Sequence, residues 1–362
     1  MEGMRMLKSS QIEHICIKNF KSMGLDLYPD QPCGKLPILG NFTSLKFSPV
    51  APTTVEISLK LHTLLQTLID SAPNLSSLKL RFYPDLTGCI NLKLLKFNYD
   101  KFFHDACPDL DLLTVTEILA KVKDSLIELT LQHEGAGNWE YTPKCQDVPV
   151  MSKLTTLTIW AVRAYQIHNF FDEYHLPKLE KLTLNLIHFE SSTLQILWKR
   201  HRRVQTLSLT LDQTRIEGDF TGKIVKMYPA VKNFYLVGCG GPNRITNDTY
   251  RMLDPFQTWD LEQVKVRLYG MREASILISV LKSLSCWKGV KHIKFRITRI
   301  PEQDFFCHLQ DLILHSKAFK SVEIYGNEVP EMRKRIQPIF ESSGAPIHFS
   351  GGVIPNPNVI NC

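Results

Sequence analysis

Apolar residues recur along this chain at the first, fourth and sixth places of a short window, as in Leu179, Leu182 and Leu184 within LPKLEKLTLNL. The same template fits windows beginning at Ile12, Phe42, Leu75, Leu92, Leu126, Leu154, Val204, Val231, Leu261, Val290 and Phe319. From Leu126 onward the windows start 28, 25, 25, 27, 30, 29 and 29 residues apart, whereas the first third is irregular. Within each window the fourth-to-sixth alternation, rich in Leu, Val, Ile and Phe, predicts a short strand with one buried face. Between windows the spacing turns helical. Leu61, Leu64, Leu65, Leu68 and Ile69 form an i, i+3, i+4, i+7, i+8 stripe. Shorter stripes follow at Leu194, Leu197 and Trp198, at Ile276, Val280, Leu281 and Leu284, and at Phe305, Leu309, Leu312 and Ile313. The stretch 99 to 125 fits either a helical unit or a loop.

One strand and one helix cannot bury both their apolar faces alone, but stacked units of this length can. The pattern predicts about twelve short parallel strands with helices on the other side, in a right-handed solenoid. It divides the chain into a lead-in (1–11), a repeat domain (12–350) and a flexible tail (351–362).

The motif L-x-x-L-x-L at this period resembles the leucine-rich repeat, over nearly the whole chain. Units of 25 to 30 residues are similar to the helix-bearing subclasses, including the repeats of F-box proteins. The chain departs from that family three residues past the sixth position, where Asn or Cys is usual. Only Cys239 and Asn327 fit; other units hold Ile187, Asp212 or Tyr269 there. The resemblance implies a horseshoe with a concave parallel sheet and convex helices. It also implies a role in substrate recognition for a cullin–RING ubiquitin ligase. That role needs an F-box, and the expectation here is that none precedes the match at Ile12. A fragment, or an interaction module without ligase coupling, would account for this.

Composition narrows the class. The 362 residues are 44% hydrophobic and 10% aromatic, ample for a sizeable core. No apolar run approaches the ~18 residues that span a bilayer. No apolar signal core opens the chain. Nine cysteines without a C-x-x-C pair read as free thiols in a reducing compartment, so a cytoplasmic or nuclear location is expected.

Candidate chemistry is thin. His168, Asp172 and His175 would share one face of a helix, as metal ligands can, but a solvated polar face explains them equally. VGCGGPN after Val237 lacks both phosphate-loop spacings. His104, Asp105 and Cys107 form no complete ligand set. The basic run Lys199 to Arg203 suits a helix C-terminus, and Arg333 to Arg335 have the same explanation. No catalytic residue, cofactor or metal is assigned, and the expectation is a non-enzymatic protein.

Charge is informative only once placed on the repeat. The third, fifth and seventh positions of each window face away from the buried leucines. Of these thirty-six positions, ten are basic (Lys18, Lys46, Lys79, Arg81, Lys96, Lys181, Lys265, Arg267, Lys294 and Arg296) and two acidic (Glu128 and Glu323). Their excess of eight matches the net charge of +7 for the whole chain. A Thr/Ser-rich middle lies between Trp160 on one side and Tyr235 and Tyr325 on the other. The pattern predicts a surface for a protein partner with an acidic face. Its contact residues are expected to be Lys265, Arg267, His292, Lys294, Arg296, Tyr325, Tyr235 and Trp160. The alternative is nucleic acid or polyphosphate in the basic groove, disfavoured by the scarcity of aromatic side chains beside the Lys and Arg pairs.

Overall fold

The computed structural model describes residues 12–18, 36–48, 55–81, 84–100, 112–134, 149–160, 172–186, 199–212, 219–239, 251–297, 300–326 and 329–350. The lead-in, the tail, the 194–198 stripe and the residues around His104 lie outside them. The chain is an α/β fold with a thirteen-stranded sheet whose strands follow chain order. Every pairing described is parallel. It divides into two compact units, Met1–Leu182 with Ile196–Lys199, and Thr183–Gln195 with Arg200–Cys362.

The first unit contains β1 (His14–Lys18), β2 (Ser44–Ser48), α1 (Val55–Asp70), β3 (Ser77–Leu80), β4 (Leu94–Asp100), α2 (Leu112–Val122), β5 (Glu128–Glu134) and β6 (Thr156–Trp160). The unit boundary falls within β7 (Lys181–Leu186). Each template window supplies its strand in the expected phase. Leu45, Leu78, Leu95, Leu129 and Leu157 at the fourth position are at most 3% exposed, and the sixth-position residues beside them are also buried. Leu61, Leu65, Leu68 and Ile69 form the buried stripe of α1. The undecided 99–125 stretch contains α2, whose Leu119 and Val122 are buried.

The second unit contains β8 (Thr206–Asp212), α3 (Phe220–Met227), β9 (Asn233–Cys239), a 3₁₀ segment (Arg251–Thr258), β10 (Gln263–Met271) and α4 (Ala274–Ser285). It continues through β11 (Val290–Ile297), α5 (Glu302–Cys307), α6 (Leu309–Ser316), β12 (Ser321–Tyr325), α7 (Val329–Ser342) and β13 (Ile347–Ser350). Its core is aromatic. Phe234 stands 4.7 Å from Phe256, 5.0 Å from Trp259 and 5.9 Å from Trp287, in tilted and edge-on arrangements that favour ring quadrupoles. Beneath β13, Phe349 meets Phe305 and Phe340, each at 5.9 Å.

A backbone ladder repeats between windows. The carbonyl of the second template residue accepts two successive amides from the next window. Glu13 receives Thr43 and Ser44, Thr43 receives Ser76 and Ser77, and Ser76 receives Lys93 and Leu94. The arrangement continues at Lys93, Ile127, Thr155, Gln205 and Lys232. A turn precedes most strands, in which the first template amide donates three residues back, as Phe42 does to Leu39, Leu75 to Ala72 and Leu154 to Met151. The buried row therefore extends one step before the template, through Leu39, Ala72, Cys89, Met151 and Leu176.

Three expectations need correction. There are thirteen strands, not twelve: β13 escapes the template because Gly344 occupies the first position, at φ +68, where an apolar L-residue would be strained. Val290, expected in the core as a first-position residue, is 50% exposed. Strand register sets it against the outward Gln263, with Lys291 opposite Val264 and Ile293 opposite Val266, so the β11 window lies two residues out of step with that of β10. The chain enters β11 through Gly289 at φ +82, where a Cβ would lie 2.5 Å from the Leu261 carbonyl oxygen, and Trp287 before it is 2% exposed. Finally, the stripe Phe305 to Ile313 is two short helices meeting at His308.

Replacing Leu182, 2% exposed, by Ala should cost roughly 2–5 kcal/mol in chemical denaturation, because a cavity opens between stacked strands. Lys181→Ala, beside it on the exposed face, should change stability by no more than about 0.5 kcal/mol. Equal effects would place the repeat in the wrong phase.

Candidate functional site

Strand register arranges the outward residues of the second unit in lateral rows. Lys265 lies between Tyr235 and His292, and His292 is followed by Ser321. The next row reads Arg267, Lys294, Glu323, His348. The third reads Tyr269, Arg296, Tyr325, Ser350. Adjacent strands lie about 4.8 Å apart, so these basic residues belong to one small patch. Their backbone is held from the opposite face, where Val264, Val266, Leu268, Ile293, Phe295, Val322 and Ile324 are at most 2% exposed.

Lys294 forms an ion pair with Glu323, across the β11–β12 register. The other Glu323 oxygen accepts the Ser350 hydroxyl at 2.6 Å. Burial alone would raise the Glu323 pKa. The hydrogen bonds from Lys294 and Ser350, with the charges of Lys294 and Arg267, outweigh burial and hold it below the ordinary value of 4.5. Lys265 sits 5.1 Å over the Tyr235 ring, a cation–π contact. His292 Nδ1 is 2.8 Å from Ser321 Oγ. Among the described residues Lys265, Arg267 and Arg296 form no salt bridge, although the charge of Arg267 reaches Glu323. Self-repulsion among them is a standing cost, of the order of 1 kcal/mol per close pair before screening.

The structure brings seven of the eight expected contact residues together: Tyr235, Lys265, Arg267, His292, Lys294, Arg296 and Tyr325. They do not all face solvent. Tyr325 is 1% exposed, and burial, with Tyr269 adjoining, pushes its phenol well above the usual tyrosine range. Its phenol lies among Tyr269, Arg267 and Arg296, so it packs within the patch and offers little surface of its own. Trp160, half-buried on β6, belongs to the first unit.

The outward bases also cluster at the other end of the repeat, and there strand pairing sets three of them in one row. In the first unit Lys46, Lys79 and Lys96 fall in direct register on β2, β3 and β4, all half-buried. All three occupy the fifth template position.

The metal reading of His168, Asp172 and His175 required a helix. His168 lies outside the described residues, and 172–175 is a turn. There Asp172 Oδ1 accepts the His175 amide at 2.8 Å and approaches its ring Nδ1 at 2.7 Å. Burial raises the Asp172 pKa, but these bonds, with the charges of His175 and Lys199, bring it below the usual range. Of the basic run, Lys199 pairs with Asp172 at 3.6 Å, and His201 is 1% exposed. Cys239 closes β9, and the glycines after it lie outside the described residues.

No helix among the described residues is long and apolar enough to cross a membrane. Neither a family model nor a curated protein matches this chain.

Because the folded-state pKa of Glu323 lies below its unfolded value, its ionised form stabilises the fold above about pH 4.5. That contribution disappears as pH falls through the lowered value. Urea denaturation should show wild type more stable than Glu323→Gln at pH 7, and the difference should close as pH falls below 4.5 and through the lowered value. A constant gap across pH would show that charge is not its source.

Proposed function

We propose that this chain is a leucine-rich-repeat solenoid acting as a non-enzymatic recognition module, with the outward face of β10 to β12 as its contact surface for an acidic protein partner. The repeat carries the family reading: the L-x-x-L-x-L windows coincide with twelve parallel strands in chain order, with the window at β11 displaced by two residues from that at β10. The observation that carries the function is the set of cations on that face, Lys265, Arg267 and Arg296, standing on a buried scaffold and forming no salt bridge among the described residues. A rigid surface loses little conformational entropy on binding, and a partner's carboxylates would relieve its self-repulsion.

Substrate recognition for a cullin–RING ligase of the F-box type is the particular role we infer from the repeat resemblance. It predicts a cullin adaptor among the captured proteins. Polyphosphate binding has less support, since Tyr235 is covered by Lys265 and Tyr325 is buried, leaving few rings there for bases to stack on.

Affinity purification followed by mass spectrometry, comparing wild type with charge reversals, tests this reading. Lys265→Glu with Arg296→Glu should abolish partner recovery and leave the thermal midpoint unchanged or raised. Lys294 is unsuitable for reversal, because Glu323 would then face a second carboxylate. Arg200→Glu with Arg203→Glu, exposed and outside the patch, should have little effect. Equal loss from both pairs would mean non-specific electrostatics. No loss from the first pair would mean that the partner binds elsewhere.

A further inference from the structure

We infer that the face of β10 to β12 takes an extended acidic segment with carboxylates on alternate residues, and that Glu323 keeps continuous polyanions off it. This rests on reading that face as the binding surface, and specifies what the surface recognises.

The spacing comes first. Lys265 and Arg267 are two residues apart on β10, so their side chains leave the same face roughly 6.8 Å apart along the strand. On β11, Lys294 is level with Arg267 and already paired with Glu323, and Arg296 is level with Tyr269. A peptide in extended conformation projects every second side chain to one side at the same interval. Carboxylates at i and i+2 therefore come into phase with Lys265 and Arg267. Guanidinium groups add two-pronged hydrogen bonding that matches a carboxylate.

Glu323 shows how this face accommodates a carboxylate. One oxygen pairs with Lys294, the other takes the Ser350 hydroxyl at 2.6 Å, and Arg267 is close enough to help hold the group ionised. The same side chain sets a limit on ligands. It is a fixed negative charge in the middle row, between Lys294 and His348. A polyanion that crosses the strands with a charge on every unit must set one against Glu323, whereas an extended segment running along β10 keeps its carboxylates two strands away from it. Glu323 is thus a specificity-determining residue through repulsion, not through attraction. With Tyr235 covered and Tyr325 buried, the stacking that would repay a nucleic acid for that repulsion is weak here.

Fluorescence anisotropy on the full chain tests the inference with three probes: a peptide alternating Glu and Ser, a peptide of equal glutamate count with Glu at every third residue, and an oligouridylate of equal charge. The alternating peptide should bind at least about tenfold more tightly than either other probe. Arg267→Glu with Arg296→Glu should remove that preference, and Glu323→Gln should tighten oligouridylate binding more than peptide binding. Circular dichroism melts confirm that each variant is folded, and Glu323→Asp, which keeps the charge, should retain discrimination. Oligouridylate binding wild type as well as the alternating peptide would overturn the inference, as would equal binding of the two peptides or no response to Glu323→Gln. If the alternating peptide does not bind but the captured partner is still lost on reversal of Lys265 and Arg296, the surface stands and this inference falls. If neither responds, both fall.

Discussion

The repeated bond from a second-position carbonyl to two amides of the next window is the interaction on which the rest of the structure depends. Parallel strands joined by long crossovers have no hairpin to set their register, so something else must do so at every step. Here the carbonyls of Glu13, Thr43, Ser76, Lys93, Ile127 and Thr155 do it in the first unit, and those of Gln205 and Lys232 in the second. Each carbonyl satisfies two amides at a strand entrance, where backbone groups would otherwise be buried unpaired. The side chains at these positions can vary freely because only the backbone is used. Glu, Thr, Ser, Lys, Ile and Gln all serve.

Register then decides which outward residues become neighbours. A one-residue slip would turn Lys265, Arg267, Lys294 and Arg296 into the core and Val264, Val266, Ile293 and Phe295 outward, so the patch and the core share one constraint. Because Ile293 and Phe295 are fully buried, His292, Lys294 and Arg296 have no alternative orientation. The basic face is held together by the apolar one behind it, which is why its self-repulsion does not simply splay it apart.

Where the repeat is broken, a different interaction substitutes. At β11 the register is displaced by two residues, so Val290 falls on the outward face opposite Gln263, and Trp287 joins the aromatic cluster. Lys291 stands opposite Val264, in the core row, and is buried, whereas Lys93 and Lys232, at the second position of undisplaced windows, are exposed. Its ammonium donates to the Trp287 carbonyl at 2.6 Å and lies 5.8 Å from the Phe319 ring. Burial lowers its pKa, yet the carbonyl and the ring supply the partners a buried cation requires.

By itself the sequence determined the strands, their phase and the faces of the helices. Those depend on local periodicity, and an apolar side chain two or four residues along must share a neighbour's environment. It also determined that the charge excess lies on one face of the repeat, because alternation assigns each residue to a face without reference to any other strand. Which cations stand side by side was a tertiary matter. Lys46, Lys79 and Lys96 are 33 and 17 residues apart in the chain, and only strand pairing brings them into one row. Tertiary structure alone also paired Lys294 with Glu323, buried Tyr325, and added β13 behind a glycine that breaks the apolar pattern. In each case the deciding quantity was distance between residues far apart in the chain, and such distances are set by packing, not by periodicity.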